Sequence, residues 1–302
     1  MNPMSRLFKV FYWPICRAYA RHLRDRPADT LMHCLSIPQF WWAYRFLPNF
    51  VQPRRFSEKV WHRQLYERDP RLTMISDKFR VRDYVAAKIG SNYLIPLLWN
   101  GDKPEEIPFD NLPQKFVIKT NHGCGYNIII QDKTRLDKKK VILKLKKWLK
   151  ENFGEDYFIG IAWAYKNIRP HIIIETFVEE NEKPPVDYKF FCFSGRMEFF
   201  KIDFDRFEGH SEKFFNKELN GLDVIELGLK QYKGKIDIPD NFDDMVRVAE
   251  KLSAEFDFMR VDLYSSKNKV YFSELTPYPG GVAAKFVPDS FDYIFGDKWK
   301  TT

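Results

Sequence analysis

The chain has no uncharged apolar run of about 18 residues or more, so nothing in it reads as a membrane-spanning helix. Its N-terminus lacks an uninterrupted apolar core followed by a small-residue cleavage site, which argues against a secretory leader. Cysteine is scarce. Cys16, Cys34, Cys124 and Cys192 lie far apart and make no CxxC or Cys/His ligand spacing, which excludes a zinc module and fits a reducing, cytoplasmic setting. No zinc-finger or RNP-like sequence and no basic run interleaved with aromatics is present, so no nucleic-acid partner is expected. Internal repeats, a Gly-Lys-Ser/Thr phosphate loop and a nucleophile with a matching base are missing too.

What remains is the balance of a folded soluble protein. Hydrophobic residues make up 44% of the 302 and charged residues 30%. The 28 phenylalanines favour a sheet-rich interior. A formal net charge of +8 suits anionic partners: nucleotides, acidic glycans or an anionic membrane face.

The most informative stretch is a hairpin. Apolar segments at residues 259–264 and 270–275 flank the polar turn Ser265-Ser266-Lys267-Asn268-Lys269, and the second ends in Pro277-Tyr278-Pro279-Gly280-Gly281. Each strand carries one carboxylate among apolar neighbours, Asp262 and Glu274, with Arg260 alongside. A carboxylate taken out of water must be paired or metal-bound. Two hard oxygen donors beside an arginine fit Mg2+ held together with a phosphorylated partner. From the hairpin alone, a structural ion pair fits equally well.

A second feature is strand, glycine loop, strand: Lys115-Phe116-Val117-Ile118-Lys119, Thr120-Asn121-His122-Gly123-Cys124-Gly125-Tyr126, Asn127-Ile128-Ile129-Ile130. Glycines let backbone N–H groups approach a phosphate, and Lys119 can add a point charge. Such a loop is also an ordinary turn. His122 and Cys124 are expected to lie over a nucleotide.

Other segments set the frame. Ser57 is expected to cap a helix starting at Glu58 and broken by Asp69-Pro70. A further helix is expected from residue 76 or 77 to Ile89 before Gly90, with Lys78 in its first turn, where a lysine opposes the helix dipole. A short strand follows at 93–98. Residues 137–150 form a helix with a lysine-rich solvated face. Strands are expected at 171–178, 187–193, 197–203 and 213–215, and a helix at 242–256. Residues 1–55 form a basic, aromatic extension open to two readings: a helix lying on an anionic membrane at the inner face, or one packing its aromatic side on the main domain.

Together these segments resemble the ATP-grasp superfamily over residues 56–295, and within it the TupA-like branch linked to teichuronopeptide and other surface-polysaccharide biosynthesis. The resemblance rests on Phe56-Ser57-Glu58-Lys59, Asp77-Lys78-Phe79-Arg80-Val81-Arg82-Asp83-Tyr84-Val85, Phe116-Val117-Ile118-Lys119-Thr120-Asn121-His122-Gly123, Asp187-Tyr188-Lys189-Phe190-Phe191-Cys192-Phe193-Ser194-Gly195 and Arg260-Val261-Asp262-Leu263-Tyr264. It implies an α+β ATP-grasp fold, two subdomains clasping ATP after a helical extension, divided at about 1–55, 56–115, 116–180 and 181–302.

By the same resemblance Lys78 and Lys119 hold ATP phosphates, under a flap that includes His122, Gly123 and Gly125. Glu175, Phe177 and Val178 frame adenine, and Glu182, or else Glu180, holds ribose. Arg260 and Lys189 are the catalytic cations. Asp262, Glu274 and Thr276 ligate Mg2+, Thr276 standing where the family pattern has Asn. Gly280 and Gly281 lie beside the acyl centre, and Asp205, Arg206 and His210 line the acceptor site. The implied activity is an ATP-dependent carboxylate–amine ligase working through an acyl phosphate on a sugar acid or amino-acid carboxylate. Asp203-Phe204-Asp205 keeps a glycosyltransferase as the alternative, and an ATP-binding assembly protein is a third reading.

Overall fold

A computed structural model describes residues 30–151, 162–180, 183–204, 209–280 and 285–300. Four helices open the described chain: α1 (Thr30–Tyr44), α2 (Phe56–Tyr66), α3 (Pro70–Ser76) and α4 (Val81–Ile89). Strands β1 (Leu97–Gly101), β2 (Phe116–Thr120) and β3 (Asn127–Ile130) precede α5 (Lys138–Trp148), the short α6 (Trp163–Lys166) and β4 (Ile172–Thr176). Next come β5 (Asp187–Phe193), β6 (Arg196–Phe204), β7 (Ser211–Asn216), and three two-residue strands, β8 (Gly221–Leu222), β9 (Ile225–Glu226) and β10 (Lys230–Gln231). Helix α7 (Phe242–Ser253), hairpin strands β11 (Phe258–Ser266) and β12 (Lys269–Thr276), β13 (Phe286–Val287) and α8 (Ser290–Lys298) complete the order. Among the described residues no helix is long and apolar enough to cross a membrane.

Two sheets result. The smaller runs β1-β4-β2-β3, antiparallel throughout. One face carries Phe116, Ile118, Ile172 and Ile174 into a core with Val141, Leu145 and Trp148 of α5. The α5 helix is anchored by Asp137, whose carboxylate accepts from the Lys140 N–H at 3.0 Å. On the opposite face alternation brings out Lys119 and Glu175.

The larger sheet runs β10-β7-β6-β5-β11-β12, with β8 on β7. Its α7 side is apolar: Phe190, Phe200, Val261 and Leu263 share a buried cluster with Phe242, Met245 and Leu252. The other side changes character along the strands. At one end Phe191, Phe193, Phe199 and Phe258 meet Phe56, Phe295 and Trp299 from α2 and beyond. At the other end the same face of β5, β6 and β11 presents Asp187, Lys189, Lys201, Asp203, Arg260 and Asp262, all in register. Burying each phenylalanine contributes about 2 kcal/mol, which secures the sheet on which the charged half is displayed.

Two local expectations are corrected. The N-cap of α2 is Arg55, not Ser57, and Glu58 in the first turn reaches back, its carboxylate accepting from the N–H groups of Asn49, Arg54 and Arg55 at 2.8–3.0 Å. Ser57 lies inside the helix and donates its hydroxyl to Asp292 at 2.6 Å, tying α2 to α8. The helix expected from residue 76 or 77 begins later: α3 ends at Ser76, Asp77 accepts from the N–H groups of Phe79 and Arg80 in a turn, and α4 starts only at Val81. Lys78 therefore sits in a capping turn rather than a regular first turn.

Candidate functional site

Lys78, Arg82, Lys119, Ile173, Glu175, Phe272 and Ser273 line a narrow cleft between the small sheet and the edge strand of the large one. The Asp77–Arg80 turn aims Lys78 across it. Its Nζ donates to the Gly123 carbonyl at 2.9 Å and meets Glu274 Oε1 at 3.2 Å, so one ammonium touches the glycine loop and the hairpin. Lys119 donates to Glu175 Oε2 at 2.8 Å. Arg82 donates to Glu175 Oε1 at 2.7 Å and to the Ile95 carbonyl at 2.9 Å. Burial favours a neutral Lys119, but Glu175 beside it more than offsets this and raises its pKa.

The glycine loop is built from beneath. Asn121 donates its side-chain amide to Asp77 at 2.9 Å and to the Arg169 carbonyl at 3.0 Å, and its side-chain oxygen accepts from the His171 N–H at 2.7 Å. Gly125 has φ +74°, and a Cβ on Gly123 would come within 2.4 Å of the Tyr126 ring. Tyr126 stacks on Trp148 with centroids 5.1 Å apart. His122, expected over a nucleotide, is buried, with Nε2 on the Trp148 carbonyl at 3.1 Å, so its side chain packs the loop onto α5. Burial lowers its pKa and favours neutral imidazole. Cys124 is exposed at the loop.

The hairpin closes through Lys267 and Asn268, both at positive φ (50° and 59°), as a two-residue turn requires. Register shifts between Asp262 and Leu263, making Ser273 a bulge. Phe272 therefore opposes Leu263 in the core while Glu274 opposes Asp262 on the polar face. Arg260 grips Asp262 with two bonds of 2.7 Å and donates to the Thr276 hydroxyl at 3.1 Å. Carboxylates around Arg260 raise its pKa despite burial.

Lys189 lies among three carboxylates: it is bonded to Asp187 and stands 3.3 Å from Asp203 and 3.4 Å from Asp262. The array continues through Lys201, which meets Glu212 at 2.6 Å, Glu226 at 2.8 Å and Asp203 at 3.4 Å; burial lowers its pKa but these carboxylates raise it further. His210 Nε2 is 3.6 Å from Asp203 Oδ1 at the far end. Four cations, Lys78, Lys189, Lys201 and Arg260, thus share one surface with six carboxylates, Asp187, Asp203, Glu212, Glu226, Asp262 and Glu274. In donor chemistry, Asp262 and Glu274, directly opposite on adjacent strands, fit a hard cation. In arrangement, Asp262 is held by Arg260 and Lys189, the Thr276 hydroxyl accepts from Arg260, and among the described residues no three His, Cys, Asp or Glu side chains form a ready metal cage.

Phe177, buried, and Val178, half-buried, follow β4, and the Glu179 carbonyl beyond them accepts from Ser266 at 2.8 Å, tying this segment to the hairpin turn. Gly280, at φ +68°, is exposed after β12. Glu182, Asp205, Arg206 and Gly281 lie outside the described residues, as do residues 1–29 of the extension. Asp203, the first member of the Asp-x-Asp triplet, is buried between Lys189 and Lys201, an environment that does not offer it to a nucleotide sugar.

The order of these parts along the chain matches a family profile, TupA-like ATP-grasp, over residues 58–300. The chain belongs to the TupA-like ATP-grasp family. Among solved structures, this ATP-grasp chain is similar to a D-alanine–D-alanine ligase from Bacillus anthracis (16% identity, 75% of this chain and 67% of that one, TM-score 0.47). It is also similar to the ATP-grasp ligase PsnB complexed with a phosphomimetic precursor variant, Mg and ADP (12%, 76% and 61%, TM-score 0.40), and to the D-cycloserine synthetase DcsG (13%, 76% and 69%, TM-score 0.41). It spans 61–69% of the length of these three. Curated proteins give no match.

Reading the sequence missed Arg82, Lys201, Glu212 and Glu226. Arg82 stands four residues after Lys78, close enough in Asp77-Lys78-Phe79-Arg80-Val81-Arg82 for the turn before α4 and the first turn of α4 to bring both to the cleft. The Lys201 group depends on the pairing of β6 with β7 and on the Glu226 N–H of β9 donating to Glu212 of β7, which leaves no local pattern.

Proposed function

We propose that this ATP-grasp protein is an ATP-dependent carboxylate–amine ligase that forms an amide through an acyl phosphate, on a sugar acid or amino-acid carboxylate in capsule or cell-surface polysaccharide assembly. The observation that carries the reading is the single cleft in which Lys78, Lys119 and Arg82 converge from three elements beside Glu274. Triphosphate brings negative charge to a place where three cations are held by only two carboxylates, Glu175 and Glu274, so ATP completes the neutralisation.

In the first step a carboxylate oxygen of the substrate bonds to the γ-phosphorus as the bond to ADP oxygen breaks. Lys78 and Lys119 spread the charge that develops on the phosphoryl oxygens. Glu274 with Asp262 would hold Mg2+, which would supply positive charge against the triphosphate. Arg260, positioned by both Asp262 oxygens, stabilises the oxyanion when the amine nitrogen attacks the acyl carbon and phosphate leaves. The amine gives up a proton in this step, and the half-buried His210 imidazole beside Asp203 can take it.

The test is a screen of uronic acids and amino acids against amines, read by mass spectrometry for a condensed product alongside ADP. ADP release that requires both reactants supports the ligase. If the purified protein never binds ATP with Mg2+ in calorimetry, the reading fails.

A further inference from the structure

Helix α1 contains no Asp, Glu, Lys or Arg. One side of it is committed: Met32, Phe40 and Tyr44 are buried with Phe50 and the α2 residues Trp61 and Leu65. Phe50 and Trp61 stack with centroids 5.6 Å apart. Among the described residues nothing covers the other side. Leu31 is 50% exposed, Trp41 45% and Trp42 46%, and the following loop adds Leu47 at 74% and Val51 at 71%. Leu31, Cys34, Pro38, Trp41 and Arg45 recur at helical three- and four-residue steps, so they line one stripe. Two half-exposed tryptophans and three aliphatic side chains together exceed the scattered apolar exposure of an ordinary surface.

Charge decides what fits this stripe. Residues 1–55 hold nine Lys or Arg, of which Arg45 and Arg54 are exposed beside the patch, and only two acids, Asp25 and Asp29. They therefore carry +7 of the chain's formal +8. The Arg45 guanidinium lies 5.2 Å over the Trp41 ring, an apolar ring capped by a charge at the border of the stripe. Indole rings flanked by arginines are the side chains that settle at the boundary between lipid headgroups and acyl chains. A second copy docked through the same face would bring the exposed Arg45 and Arg54 of two chains together, and like charges at an interface oppose it.

We infer that the exposed face of α1 and the loop after it, Trp41, Trp42, Leu47 and Val51 with the flanking arginines, rests on an anionic lipid bilayer. On this inference α1 packs one side on the main domain and turns the other to lipid. Docking of this kind is interfacial: indoles enter at headgroup depth, and arginines meet lipid phosphates. It rests on no assumption about the ligase reaction, because none of these residues lines the cleft.

The experiment is vesicle flotation of the full chain. Vesicles of phosphatidylglycerol with phosphatidylcholine should carry the protein, pure phosphatidylcholine should not, and raising the salt should release it. The double substitution Trp41→Ser/Trp42→Ser should weaken binding roughly tenfold with the melting temperature and ATP binding unchanged. Leu47→Ser/Val51→Ser, a second variant in the loop, should act the same way. The inference is overturned if anionic vesicles never float the protein, if both variants float as well as the parent, or if the tryptophan variant instead converts a dimer into a monomer by light scattering.

Discussion

Replacing Arg82 tests the cleft at its least expected member. Glu175 is divided between two cations, Arg82 at 2.7 Å and Lys119 at 2.8 Å, and its side chain is only 8% exposed. For Lys119 to reach a phosphate it must loosen from Glu175. That is tolerable while Arg82 keeps the carboxylate paired. In Arg82→Met, Lys119 is the cation left beside Glu175, and its departure would strand a buried charge. Breaking such a pair costs about 3–5 kcal/mol when it is fully buried. Arg82 is 15% exposed and Lys119 20%, so water recovers part of this and about 2 kcal/mol is the expected penalty. In calorimetry ATP should therefore bind roughly 30-fold more weakly to Arg82→Met. Arg82→Lys keeps the charge but cannot span Glu175 and the Ile95 carbonyl together, and should recover part of the loss. A melting temperature that falls while ATP affinity stays within twofold would refute the argument, leaving Arg82 a purely structural residue.

Gly123→Ala should displace Tyr126 from its stack on Trp148 and weaken ATP binding more than Gly209→Ala, where a Cβ meets no atom within 4 Å; paired calorimetry checks this. His122 has a lowered pKa in the fold, so the unfolded chain binds its proton first. Its contribution to stability is complete above the ordinary histidine pKa of about 6.5 and is lost as pH falls below it. The melting temperature of the parent should drop between pH 7 and 5 more steeply than that of His122→Phe. Asp262→Asn removes the charge that positions Arg260 and leaves Lys189 with one fewer carboxylate; turnover should fall at least about a hundredfold while ATP affinity changes far less, as single-turnover kinetics would show.

Much of the large sheet was legible because its strands are phenylalanine-rich and bounded by turn residues. Strand β5 was read at its observed limits, since Asp187-Tyr188-Lys189 alternates until Ser194-Gly195. The polar turn at 265–269 located the hairpin, and the placing of Lys78, Lys119 and Glu274 around one cleft follows the order of segments along the chain. What the sequence hid is set by distant partners. Ser57 looks like a cap, yet Asp292 in α8 claims it, and Glu58 reaches back to three N–H groups. Strict alternation along β12 would put Phe272 and Glu274 on one face; the bulge at Ser273 separates them, and no local preference announces it. His122, in a glycine loop, reads as a ligand residue, whereas its burial depends on Trp148, 26 residues away. Thr276 is spoken for by Arg260, a bond visible only once the two strands are paired.

The proposed ligase reaction begins with a carboxylate oxygen attacking the γ-phosphorus of ATP. With an acid found active in the screen, labelled with oxygen-18 in its carboxylate, one labelled oxygen should appear in the inorganic phosphate for each amide formed. Phosphate that carries no label while amide accumulates would contradict the acyl-phosphate route and the ligase chemistry proposed for this cleft.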